Sequence, residues 1–152
     1  MSLELWLQYI AMTVALLALA FFYKGMKRFI PVAMFASLYA NVWCFIAMHF
    51  KWWEFPVRVC PIIDDISFTV NMVVVPILAM IWVRYSPMSR VKWALLWSVV
   101  LGLMEFFLSR YTHMIVYGNG YDWYYSLLLW LPSWAIWLWF HRWFYKDGWE
   151  RD

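Results

Sequence analysis

The residue with the most chemistry to offer is Glu105, a carboxyl group in the middle of an apolar run. Ser98, Gly102, Glu105 and Ser109 recur at spacings of four, three and four, so they share one face of a helix. Leu and Phe fill the other faces, and Thr112 and His113 continue the stripe. Small residues on such a face let a neighbouring helix approach, which would turn the carboxyl toward protein and away from lipid. Two further stripes match it. One carries Ser37, Asn41, Cys44 and Met48; the other carries Asp64, Ser67 and Asn71, with Asp65 beside it.

An ionisable group at membrane depth points to a site for a cation, a proton or a polar headgroup. The amides of Asn41 and Asn71 also suit plain interhelical hydrogen bonding to Glu105. Depth follows from 1.5 Å per residue: Asn41 and Glu105 lie about 18 and 20 Å from one membrane edge, and Asn71 about 10 Å from the other. In a core of roughly 30 Å these are one level. The expected site is therefore Glu105 with Asp64 or Asp65, oriented by Asn71 and Asn41, with His113 and Arg110 toward the outer surface. Arg110, one turn from Glu105, either neutralises it or extends to water. The other half of the spans is apolar (Met34, Phe35, Leu78, Ile81, Leu95, Leu96), so the pattern describes a recess open on one side and not a continuous pore.

His49 and His113 fall near one level on the second and fourth spans, where two imidazoles could ligate a haem axially. A histidine near a water interface is more often solvated, and no cofactor is expected. Cys44 and Cys60 form no C-x-x-C pair and support neither zinc nor thiol exchange. No Walker-type glycine loop, H-E-x-x-H or G-x-S-x-G is present, and the chain reads as non-enzymatic.

The elements that must hold these groups are five apolar stretches: Leu3–Tyr23, Phe29–Phe50, Ile66–Tyr85, Trp93–Ile115 and Trp123–Phe144. Each has about 20 residues, the length of a helix that crosses a bilayer. The composition agrees: 66% of the 152 residues are hydrophobic and 14% charged, against about 25% charged in a soluble domain. The expected fold is all-α, a single five-helix transmembrane bundle over residues 1–152. A net charge of +3, spread along the chain, gives no footprint for nucleic acid.

Basic residues set the orientation. Lys24, Lys27, Arg28, Arg84, Arg90, Lys92, Arg142, Lys146 and Arg151 fall on one side; Lys51, Arg58 and Arg110 fall on the other. The positive-inside rule places the larger group in the cytoplasm, the N-terminus outside and the C-terminus inside. Ala18-Leu19-Ala20 mimics a signal cleavage site, but the basic n-region is missing and the apolar run is too long, so the segment reads as a retained helix. Pro76 and Pro132 should kink their spans. Tyr117-Gly118-Asn119-Gly120-Tyr121 should form a tight turn, and Trp52, Trp53, Phe55 and Tyr121–Tyr125 should anchor at the headgroups.

The run Pro61–Asp65, Pro76, Tyr85 with Pro87, Glu105 and the Tyr121-Asp122-Trp123 entry to span five resembles an uncharacterised family of small five-helix membrane proteins found in spore-forming Gram-positive bacteria. Here Phe106 stands after Glu105, where that family has proline. The resemblance covers about the last two-thirds of the chain and implies a bacterial cytoplasmic membrane.

The sequence thus points to a binding protein with an outward acidic recess for a cation or polar lipid headgroup. The bilayer is its main partner, within a larger assembly or alone. An accessory subunit that packs through Trp-rich faces is the alternative, since the chain has 14 Trp. A proton- or ion-coupled transporter is a third, disfavoured by the apolar inner half.

Overall fold

The computed structural model describes residues 2–60, 62, 66–85 and 90–145. Pro61, Asp64, Asp65, Ser86, Pro87, Lys146 and Arg151 lie outside the described residues. The fold is helical: α1 (Leu3–Phe21), α2 (Ile30–His49), α3 (Val75–Tyr85), α4 (Arg90–Tyr111) and α5 (Trp123–Phe144). Two short strands, β1 (Trp53–Glu54) and β2 (Val116–Tyr117), pair antiparallel, with Trp53 opposite Tyr117 and Glu54 opposite Val116.

Among the described residues, three helical segments are long and apolar enough to cross a membrane: Leu3–Phe21, Met26–His49 and Arg90–Tyr111. The segment Thr69–Tyr85 is apolar but shorter. The surface is as greasy as the core: Leu17, Met34, Leu38 and Leu128 are each more than 60% exposed. In water such a surface would aggregate; in hydrocarbon it is the solvated face.

Local chemistry sets the helix ends. Ser2 caps α1 through the Leu5 amide. At the other end Arg84 Nη1 donates to the Phe22 carbonyl at 2.7 Å, so a cation from α3 meets the negative end of α1. A 3₁₀ turn, Met26–Phe29, feeds α2, whose first turn holds Pro31. α4 was expected to run to Ile115 but stops at Tyr111. There Thr112 turns its hydroxyl back to the Leu108 carbonyl and accepts from the Met114 amide, which gives the chain a local alternative to another helical turn.

Pro76 acts through the turn before it. It cannot donate to the Met72 carbonyl, and its ring crowds that group. The preceding residues, Thr69–Val74, wind as a π-helix, which displaces the backbone there and buries Thr69 and Asn71. Pro132 lies inside a helix that runs through it, and, one residue on, the Ser133 hydroxyl donates to the Leu129 carbonyl at 2.6 Å.

Two apolar clusters build the interior. The end away from the ribbon is packed around Phe29, Val32, Ala36, Ala79, Trp82, Trp134 and Trp137. Phe35 stacks on Phe140 at 4.1 Å, and the Trp82 indole donates to the Trp134 carbonyl at 3.0 Å. The ribbon end is packed around Cys44, Ala47, Trp53, Ile66 and Ile115. α4 sits at the edge of the bundle and packs extensively only on α5, while α5 also packs on α2 and α3.

Candidate functional site

The α4 stripe faces α5. Ser98 and Gly102 are the buried residues of α4. The Trp134 indole donates to Ser98 Oγ at 2.9 Å. A Cβ on Gly102 would meet Leu127 Cδ2 at 2.6 Å, so any larger residue requires the Leu127 side chain to move. One turn on, Glu105 accepts from Trp130 Nε1 at 2.7 Å and from the Tyr117 hydroxyl at 3.1 Å. Ser126 stands beside it as a third neutral donor, and its hydroxyl lies 3.4 Å from that of Tyr121. Among the described residues no Lys, Arg or His pairs with this carboxyl.

Glu105 lines a cavity of about 210 Å³ between α2, α3, α4 and α5. The walls are mostly apolar: Tyr39, Ala40 and Trp43 from α2, Val74 and Leu78 from the third span, Leu101, Met104 and Leu108 from α4, and Leu129 and Trp137 from α5. Trp53, Phe55, Ile115 and Tyr121 cover the ribbon end, so the aromatic loops pack over the cavity and do more than anchor. The roof is tied down by backbone, with the Gly118 amide donating to the Trp52 carbonyl at 2.9 Å. A Cβ on Gly118 would come within 2.9 Å of the Lys51 carbonyl oxygen. Asn119 (φ 48°) and Gly120 (φ 76°) turn the chain left-handed, and the Tyr121 amide closes the turn on the Gly118 carbonyl.

Asn71 lines the same cavity, but its partners are not Glu105. Its Nδ2 donates to Asn41 Oδ1 at 2.9 Å and to Cys44 Sγ at 3.1 Å. The expected bonds from both asparagines to the carboxyl are therefore corrected: the amides tie the π-helical turn Thr69–Val74 to α2, and aromatic donors hold Glu105. The reason is geometric, since the Glu105 face of α4 packs on α5. Gln8, the one buried residue of α1, also reaches the cavity; it donates to the Val57 carbonyl at 2.8 Å and accepts from Thr69 Oγ1 at 3.1 Å.

Arg110 is exposed and does not neutralise Glu105. It lines a separate surface cleft of about 680 Å³ with His113, Asp122 and Tyr117. The backbone amide of His113 donates to Glu4 at 3.5 Å. His49 is exposed at the end of α2, with its ring edge-on to Phe50 at 5.0 Å. Among the described residues no contact joins His49 to His113, and no group of three or more His, Cys, Asp or Glu could hold a metal. Asp64 and Asp65, called as site residues, lie outside the described residues.

Two functional groups escaped the sequence reading. Tyr117 and Trp130 look like membrane anchors in a chain so rich in aromatics, and only their polar atoms reveal the role. The fixed charge shows on the loop tyrosines. Burial first, and Glu105 second, push the Tyr117 hydroxyl well above the usual phenol range. Burial pushes Tyr121 up to about 12; Ser126 opposes the rise, and Glu105 adds to it. Trp137 lines the cavity, is 1% exposed, and its indole N–H has no acceptor among the described residues. An unmet buried donor costs about 1–3 kcal/mol. No known protein family, curated protein or solved structure matches this chain.

Proposed function

We propose that the chain crosses a bacterial cytoplasmic membrane five times, N-terminus outside, and binds a polar or cationic group at Glu105 without catalysing a reaction. The observation that carries this reading is Glu105 itself: a carboxyl on a cavity wall, oriented by the Trp130 and Tyr117 donors and with no cation beside it among the described residues. A carboxylate held away from water lacks a counter-charge, and a ligand that supplies positive charge or O–H and N–H donors would provide it. Donors at fixed positions on α5 and the ribbon keep it aimed when the site is empty.

The topology rests on the basic residues and on the apolar helix surfaces. α5 falls short of the hydropathy of the other long helices because Trp and Tyr replace aliphatics, yet its 22 residues suffice to cross. To test it, Cys44 and Cys60 are replaced by Ser, and a cysteine is placed at Asn119 or at Lys24. A membrane-impermeant maleimide should label the first in intact cells and the second only after lysis; the reverse pattern overturns the orientation.

The site is tested by Glu105→Gln. Mass spectrometry of lipid and metal in gently purified protein should find a stoichiometric ligand in the wild type and about tenfold less in the variant. Equal content in both would sink the reading. An accessory subunit predicts instead a silent Glu105→Gln and a stoichiometric protein partner. In that alternative the packing faces are Trp6, Trp93, Trp97, Trp139 and Trp143, which are exposed, while Trp82, Trp134 and Trp137 pack within the chain.

A further inference from the structure

The cavity has a composition that narrows its ligand. Among the described residues that line it there is no Lys, Arg or His, and the one acidic group is the carboxyl of Glu105. A phosphate placed inside would meet negative charge and no cation in an apolar surround, which is prohibitive. Most of the walls are aliphatic or aromatic, with Gln8, Ser67, Asn71, Ser126 and Ser133 as neutral polar groups, and the apolar stretches suit a hydrocarbon chain.

The way in is also marked. α4 packs extensively only on α5, and the thinly packed gap between α4 and the α2–α3 pair is where the cavity lies. Met104 sits at this gap: it lines the cavity and is 52% exposed on the outer surface of the bundle. The roof of Trp53, Phe55 and Tyr121 covers the ribbon end, and the Trp82–Trp134 pair fills the other. The route that this packing leaves for entry is sideways, into the region where acyl chains lie. A volume of about 210 Å³ equals roughly seven waters at ~30 Å³ each. That holds a small head and a few methylenes, and the rest of a lipid must emerge through the gap.

Two polar groups describe the head. Glu105 accepts, and Trp137 donates through an N–H that meets no acceptor among the described residues. The Trp130 ring, which holds Glu105, has its centroid 6.3 Å from that of Trp137. A ligand serving both needs a donor and an acceptor only a few bonds apart. The Trp137 N–H is sealed from solvent, so a small tilt of the indole accompanies its engagement.

We propose that the cavity takes a phosphate-free lipid of the acylglycerol class, drawn from the bilayer past Met104, with a hydroxyl donating to Glu105 and an ester carbonyl accepting from Trp137. This rests on the Glu105 binding reading and supplies the ligand class for it.

The test is native mass spectrometry of delipidated protein titrated with dioleoylglycerol, and separately with dioleoylphosphatidylglycerol. The diacylglycerol should form a 1:1 adduct at least tenfold tighter than the phospholipid. Trp137→Phe removes the N–H together with part of a buried ring, so the thermal stability of the empty variant is measured beside it; the adduct should weaken about tenfold, the worth of one hydrogen bond, in protein that remains folded. Met104→Trp narrows the rim from an exposed position, so the bundle keeps its fold, and should slow or abolish loading. Equal binding of the phospholipid, or no diacylglycerol adduct, overturns the lipid class. If the endogenous ligand still depends on Glu105 in that case, the acidic site stands alone; if Glu105→Gln changes nothing, both fall.

Discussion

The hydroxyl of Tyr117 donates to the carboxyl of Glu105 at 3.1 Å, across 12 residues of sequence. Tyr117 belongs to β2, and β2 is paired with β1 from the loop that follows α2. One hydrogen bond thus connects the cavity wall on α4 to the roof made by both loops. The pairing also explains why Glu105 stays oriented without an ion partner: its donors come from a strand and a helix, each fixed by its own packing.

Tyr117→Phe should loosen the roof and leave the bundle folded. The expected cost is about 1 kcal/mol, read as a fall of about 2–4 °C in Tm of the detergent-solubilised protein. An unchanged Tm would mean that the strand pairing alone holds the ribbon.

Gly102→Val should force α4 off α5. Its side chain would enter the space of Leu127, whose Cδ2 lies 2.6 Å from a Cβ at that position. A loss of about 1–3 kcal/mol is expected, with part of it recovered when Leu127→Ala is added. Denaturation of the single and double variants measures both effects, and the absence of recovery would place the clash elsewhere.

Asn71 and Asn41 should behave as a coupled pair. Asn71→Leu is expected to cost about 1 kcal/mol or less, and Asn41→Leu should add little once Asn71 is gone. A double-mutant cycle with additive losses would show that the 2.9 Å contact carries no energy.

Alkaline titration should report on the roof. Tyr121 is pushed up to about 12, above its ordinary value near 10. Between these values the unfolded chain has released the proton and the folded chain retains it, so the stabilising contribution, intact below about pH 10, declines as pH rises toward 12. Tyr121→Phe should flatten that decline. Thermal melts of both proteins across this range decide it; identical slopes would refute the assignment.

Much of the frame was legible because hydrophobic runs and the α4 stripe encode it directly. The sequence reading placed α5 at Trp123–Phe144, and the structure has the same bounds. The spacing of Ser98, Gly102 and Glu105 marked the face that meets a neighbour, since small residues have few other uses there. The identity of that neighbour was not legible. Depth counting brought Asn71 level with Glu105, and both do line one cavity, but a count along each axis carries no rotation about it. The ribbon was invisible for another reason: two residues per strand give no alternation to read, and its pairing joins segments more than 60 residues apart. Trp130 and Trp137 were hidden by their own abundance, because an indole that donates cannot be told in sequence from one that only fills space.

The π-helical turn at Thr69–Val74 gives the third span a surplus residue. If the segment rewound as an ordinary α-helix with no residue removed, everything before it would swing by about 100° relative to α3. Ser67 and Thr69 would leave their present bearing, and Gln8 would lose the hydroxyl it now receives. The span is therefore two half-cylinders set at different azimuths, and the setting between them decides which polar atoms α1 and α2 meet.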